Sequence, residues 1–251
     1  MKLTPMENKR VVSWFSCGAA SAVAAKMALD KFGPGVEVVY CDTSRNEHPD
    51  NSRFMADVER WLGVSVTRLS SDKFKTVEEV FAKQRYMAGP YGAPCTVALK
   101  KVPRFKWQRV DDIHVFGYTA DEGKRICGFE KNNPDMILAW VLRDAGIGKK
   151  DCYQVLRKAG IALPAMYLLG YKNNNCLGCV KATSPGYWAK IKRDFPAVYA
   201  ARVAQSRDIG TRLIEFKGKR IFLDELPDGD FGRYKAEDIS CGPECAGGKL
   251  I

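Results

Sequence analysis

Histidine is nearly absent: the 251 residues contain two. Imidazole is the usual proton carrier near neutral pH, so acid–base catalysis by histidines has little to draw on. His48 follows Glu47 at the expected ligand end of a sheet, and His114 lies inside a predicted strand and reads as structural. Long apolar runs are also missing, and none approaches the roughly 20 residues that a membrane-spanning helix needs. The opening stretch "MKLTPMENKR" lacks the apolar core of a signal peptide. A cytoplasmic protein without a membrane partner is the expectation. There is no internal repeat and no low-complexity tract, which sets aside solenoids and disordered linkers. No Gly-Lys-Ser follows the first strand, so a Walker A loop is excluded there. Acidic residues are the minority, 29 against 40 Lys and Arg, for a net charge of +11. That balance favours phosphate-bearing or polyanionic partners and does not bear on fold.

Cysteine, by contrast, is plentiful. There are nine, an odd number. Without a secretion signal a disulfide framework is not expected, and clustered cysteines point to metal binding or thiol chemistry. Cys17, Cys41 and Cys152 sit in apolar segments, where cysteine is usually a small buried hydrophobe. Cys176-Leu-Gly-Cys179 is a C-x-x-C pair behind three asparagines. Asn-rich turns tolerate left-handed backbone and are expected to expose their neighbours. Such a pair suits zinc, an iron–sulfur cluster or a redox dithiol.

The apolar pattern alternates between strand and helix. "VVSWF" (11–15), "VEVVYCD" (36–42), "VSVTRLS" (64–70) and "IHVFGY" (113–118) read as strands. Segments 19–31, about 48–62 and 76–84 read as helices. This alternation predicts an α/β fold, a parallel sheet flanked by helices, with ligands bound beyond the C-terminal strand ends. Those ends are Ser16–Ser21, Asp42–His48, Ser70–Lys73 and Tyr118–Arg125. Residues 1–130 form the expected nucleotide-binding core. Residues 131–251 form a mainly helical region, continuous with it as one structural unit. Within that region "RLIEFKGKRIFLDEL" predicts a hairpin turning at Lys217–Gly218, and "CGPECAGGKLI" has a tail's composition.

After the first strand, Ser16, Gly18 and Ser21 supply hydroxyls and backbone N–H groups at a helix N-terminus, where anions are favoured. "SWFSCGAASAV" resembles the PP-loop of the adenine-nucleotide alpha-hydrolase superfamily. "YCDTSRNEHPDNSRFMADVERWLG", "CTVALKKVP" and "AGIALPAMYLLGYKNNNCLGCVKA" resemble, in order, three segments of the phosphoadenosine-phosphosulfate (PAPS) and adenylyl-sulfate reductase family. The likeness runs from about residue 11 to about 190. It departs at Ala20, where pyrophosphatase members often carry Asp, at Thr119 and Gly123 in "GYTADEG", and at Thr96, where the family has a second cysteine.

The resemblance implies a PP-loop fold and an enzyme that reduces an adenylylated sulfate to sulfite. Ser16, Gly18 and Ser21 would hold the phosphate of that substrate or of an ATP-like nucleotide. By the resemblance Lys100 and Glu122 would line the site; by their place at the strand ends Asp42 would accept a bond from ribose or base and Arg125 would pair with a phosphate. Cys95, Cys176 and Cys179 would bind a [4Fe–4S] cluster, with zinc as the alternative. Glu244-Cys245 resembles the tail whose cysteine is the nucleophile in PAPS reductases, with a thioredoxin-like dithiol as reductant. Cys245 is equally readable as a metal ligand paired with Cys241. An iron–sulfur sulfurtransferase thiolating a tRNA or DNA base is the alternative enzyme. "LKKVPRFKWQR", with basic residues interleaved with aromatics, is what would contact nucleic acid, although a solvated helix face with buried aromatics explains it too. A third reading is a non-catalytic nucleotide- or nucleic-acid-binding protein with structural zinc.

Overall fold

The computed structural model describes residues 9–89 and 92–232. Cys241, Glu244 and Cys245 lie outside the described residues. Along the chain come β1 (Val11–Phe15), α1 (Ala19–Phe32), β2 (Glu37–Cys41), α2 (Asn51–Leu62), β3 (Thr67–Leu69) and α3 (Val77–Gln84). A helical run follows: α4 (Pro94–Thr96), a π-helical segment (Val97–Lys101) and α5 (Val102–Trp107). Then come β4 (Ile113–Phe116), α6 (Gly123–Asn132), β5 (Ile137–Ala139), α7 (Val141–Asp144), α8 (Lys149–Lys158) and α9 (Ala165–Leu168). The remainder is α10 (Pro185–Asp194), α11 (Pro196–Ile209), β6 (Ile214–Phe216) and β7 (Lys219–Ile221).

The chain folds as two compact units, each assembled from separate segments. The first takes described residues from 1–42, 49–70 and 103–174, and the second from 43–48, 71–102 and 175–251.

The first unit is an α/β Rossmann-like fold. Its five strands are all parallel, in the order β3-β2-β1-β4-β5. All five residues of β1 are buried, as a central strand covered on both faces requires. One face packs on α1, whose buried alanines 19, 22, 24, 25 and 28 let the helix lie close to the sheet. Phe54, Met55 and Val58 of α2 complete that layer. On the other face Trp14, Phe116, Tyr118, Phe129 and Trp140 form an aromatic core. His114 belongs there: its Nδ1 accepts from Trp14 Nε1 at 3.0 Å. Burial lowers its pKa to about 4, so the ring is neutral and structural, as its place in the strand suggested.

The sequence misplaced some edges. The third strand shrinks from 64–70 to three residues, and the second helix begins at Asn51. The stretch past residue 130, read as helical, contains the edge strand β5. A three-residue apolar run carries no period that separates strand from helix.

In the second unit, β6 and β7 pair antiparallel. Their turn falls at Lys217 (φ 49°) and Gly218 (φ 74°), the predicted pair. Among the described residues no helix is long and apolar enough to cross a membrane.

Candidate functional site

The strand order reverses between β1 and β4, and the C-terminal ends of these neighbours are where such sheets bind ligands. The turn after β1 is built for close approach. Cys17 takes a left-handed backbone (φ 54°), unusual for a residue with a side chain, and its carbonyl accepts from the buried Asn174 Nδ2 at 2.6 Å. Asn174 Nδ2 also donates to Asn51 Oδ1 at 2.8 Å. Ser16 and Ser21 meet in this turn. Ser21 Oγ accepts from Ser16 N and Ser16 Oγ, both at 3.1 Å, and donates to Gly18 O at 2.9 Å. The Ser21 hydroxyl therefore holds the turn in shape.

Gly18 is the N-cap of α1, and no side chain caps it. From the other side comes Gly117, just beyond β4. A Cβ there would lie 2.6 Å from Ser21 N and 2.7 Å from Ser21 Cα, so only glycine lets the two turns touch.

Residues that the motifs did not flag surround this turn. The Tyr167 hydroxyl stands 3.4 Å from where a Gly18 Cβ would be, and backbone groups of Ala19 and Asn174 bond it. Burial raises the Tyr167 pKa. Lys149 Nζ lies 5.8 Å from the Tyr167 ring centroid, donates to Asn173 Oδ1 at 2.9 Å, and also bonds the Lys172 carbonyl. Burial lowers the Lys149 pKa, and the charges of Arg125 and Lys172 add to the effect. The Lys149 ammonium thus stands near Tyr167, which itself lies against the turn, and carboxylates are in the same region: Asp121 accepts from the Lys149 backbone N–H at 3.0 Å and Glu122 pairs with Arg125. Asn173 and Asn174 sit in the quoted asparagine run, but nothing in its pattern links them to residue 18 across the sequence.

The other predicted binding residues have the following places. Glu122 accepts from the backbone and hydroxyl of Thr119 at 3.0 and 3.2 Å and pairs with Arg125, whose guanidinium lies 4.6 Å from the Tyr118 ring centroid. Glu122 is thus a helix-start cap that orients Arg125. Asp42 is half-buried at the end of β2, its N–H donating to Leu69 O at 2.8 Å. Lys100 belongs to the second unit, buried in the π-helical segment.

"LKKVPRFKWQR" is divided: Lys100, Lys101 and Arg104 are buried, whereas Phe105, Lys106 and Arg109 are exposed. Trp107 lies edge-on to Trp14, with Arg10 stacked 4.0 Å from its centroid. Phe105 is exposed, with the Arg104 guanidinium 4.5 Å from its ring centroid, so of the two aromatics only Trp107 serves the packing.

Cys95, Cys176 and Cys179 all fall in the second unit. Cys95 is partly buried in α4, while Cys176 and Cys179 are both buried. This corrects the expectation that the asparagine run exposes them; Asn174 turns inward, to the Cys17 carbonyl. The C-x-x-C turn runs through Gly178 at φ +61°, where a Cβ would lie 2.9 Å from Val198 Cγ1. An all-thiol donor set suits a soft metal or an iron–sulfur cluster. Among the described residues no three His, Cys, Asp or Glu side chains are already gathered to hold a metal ion. The fit is therefore one of donor chemistry and shared unit. Cys17, Cys41 and Cys152 are buried, and burial, with the charge of Asp151 adding to it, pushes the Cys152 thiol up to about 11. That thiol is inert at neutral pH.

No protein-family model matches the chain, and no curated protein matches it.

Proposed function

We propose that this chain is an enzyme of the PAPS and adenylyl-sulfate reductase kind, which reduces an adenylylated sulfate to sulfite. The observation that carries the reading is the β1–α1 turn. It lies where the strand order reverses, is bordered by Gly18 and Gly117, and has Tyr167 against it, with the Lys149 ammonium 5.8 Å from the Tyr167 ring centroid.

In this reading the first unit binds the nucleotide. Phosphate and sulfate oxygens take N–H groups of the first turn of α1 and the charges of Arg125 and Lys149. Ser16 and Ser21 act by fixing the turn. The Cys245 thiolate attacks the sulfate sulfur. A sulfur–sulfur bond forms as the bond from sulfur to the adenylate oxygen breaks, and the electron pair leaves with the nucleotide phosphate. One thiol of a thioredoxin-like dithiol attacks Cys245 Sγ, and sulfite departs with the electron pair. The second thiol frees Cys245, so the dithiol ends as a disulfide and the sulfate sulfur has gained two electrons. Cys95, Cys176 and Cys179 are the residues that would hold a [4Fe–4S] cluster, or zinc, which when bound supplies a soft cationic centre for anionic sulfur.

The test is sulfite release from adenylyl sulfate and from its 3′-phosphorylated form, with thioredoxin present. Release from either supports the reading. Failure with both, alongside salt-dependent retention on RNA, would favour the base-thiolating alternative.

A further inference from the structure

The backbone of the C-x-x-C turn is tied at three successive residues, each time to a different part of the second unit. Leu177 N donates to the Asn46 carbonyl at 2.8 Å. The Gly178 carbonyl accepts from Arg202 Nε, on α11, at 3.1 Å. Cys179 N donates to the Tyr187 hydroxyl, on α10, at 2.8 Å.

Two of these ties close into a ring. Arg202 pairs through its NH1 with Glu78 Oε1 at 2.8 Å, and its side chain is 2% exposed. Glu78 Oε2 accepts from Asn46 Nδ2 at 2.7 Å. Asn46 Oδ1 accepts from Val77 N at 2.9 Å, which fixes the asparagine against the start of α3. Bonds therefore run from Gly178 to Arg202, Glu78, Asn46 and back to Leu177. A buried guanidinium is costly to desolvate and is retained where its geometry is used. Here its fork reaches a carboxylate and the carbonyl of the residue between the two cysteines. Gly178 leaves room for the same side chain: a Cβ there would lie 3.3 Å from Arg202 Cγ.

We propose that Arg202, set by Glu78 and Asn46, is a positioning residue that holds the C-x-x-C turn in one conformation, so that the Cys176 and Cys179 thiols are preorganised for a soft metal. A turn fixed in advance loses little freedom on binding, whereas a loose one must be ordered by the ligand. The inference rests on the reading of that pair as metal-binding thiols.

The experiment uses the full chain, reduced and metal-free, titrated with Co²⁺, whose thiolate charge-transfer absorbance reports the ligands. Hydrogen exchange at the Leu177 and Cys179 amides is followed in parallel. The wild type should bind Co²⁺ with a thiolate band that Cys176→Ser and Cys179→Ser abolish. Arg202→Met should weaken Co²⁺ about tenfold, the lower end of what loss of a supporting residue does to a metal site. Its Leu177 amide should exchange at least about tenfold faster, while amides of β1 keep their wild-type rates. Arg202→Lys, which restores the charge, should recover part of both. Should Arg202→Met not fold, Asn46→Ser removes the side-chain ties to Glu78 and Val77 but keeps the carbonyl that Leu177 uses; it carries the same prediction. Unchanged Co²⁺ affinity and exchange in a folded variant would overturn the proposal. A thiolate band that survives both cysteine substitutions, or is absent from the wild type, would instead overturn the metal-binding reading and the positioning role with it; the exchange data then still report whether the ring holds the turn.

Discussion

A methyl group added at Gly18 would sit 3.4 Å from the Tyr167 hydroxyl and 3.7 Å from Ser16 Oγ, which are ordinary contact distances. The backbone there has φ −100°, open to any residue. The fold therefore does not need glycine at 18, but close approach of a ligand to this backbone would. Gly18→Ala should leave the urea midpoint within experimental error of the wild type and weaken adenylate binding about tenfold or more by calorimetry, the size of a lost charge-assisted hydrogen bond. Equal affinity in both proteins would remove the turn from the binding site. His114 gives a second residue-scale outcome. Its folded pKa of about 4 lies below the ordinary 6.5, so the unfolded chain takes up a proton that the folded one refuses. The stability due to its neutral form is complete above about pH 6.5 and is lost as pH falls toward about 4. Between about pH 7.5 and about pH 5 this one group should remove about 2 kcal/mol. His114→Gln keeps an acceptor for the Trp14 indole and should flatten that slope in urea melts at the two pH values. An unchanged slope would place the titration elsewhere.

At the scale of elements, the junction of the β1 and β4 ends leaves no room for a Cβ at Gly117. Gly117→Ala would drive a methyl into the Ser21 backbone. It should destabilise the fold by about 1–3 kcal/mol, as overpacking does. Thermal unfolding checks this, and a wild-type midpoint would mean that the two turns can move apart. Lys149 lies at the start of α8, its ammonium held by neutral oxygens of residues 172 and 173. If it receives a phosphate or sulfate, Lys149→Met should weaken pyrophosphate and adenylate binding about tenfold, the share of one charge-assisted contact. Wild-type affinity should in turn fall as pH rises through the lowered Lys149 pKa, which the variant should not show. These elements differ in how legible they were. β1 and α1 were readable because four apolar residues in a run of five and then an alanine-rich helix leave one arrangement. β5 was not, being three residues long with no period. Ser16, Gly18 and Ser21 lie within six residues, so their place in one strand-to-helix turn was readable. Lys149, Tyr167 and Asn174 reach that turn only through tertiary packing, which no local pattern encodes.

For the whole molecule, the net charge of +11 suggests a polyanionic partner, and the basic stretch at 100–109 divides: Lys100, Lys101 and Arg104 are buried, Lys106 and Arg109 exposed. Elsewhere some cations are in ion pairs, as with Arg10 on Asp112 and Arg207 on Asp224 and Glu225, which leaves the excess of +11 itself unchanged. Charge counted along a sequence does not tell which side chains face water. The three cysteines most distant in sequence from a shared role, Cys95, Cys176 and Cys179, do fall in one compact unit, which spacing alone could not have established. The central claim is thiol-dependent reduction of an adenylylated sulfate, and one comparison tests it most directly. Sulfite production and bound metal are measured on the wild type and on Cys245→Ser, with adenylyl sulfate, its 3′-phosphorylated form and thioredoxin supplied. A serine hydroxyl is a far poorer nucleophile than a thiolate. The account predicts sulfite from the wild type, at least about a thousandfold less from Cys245→Ser, and equal metal content in both. Full sulfite release by Cys245→Ser would contradict it.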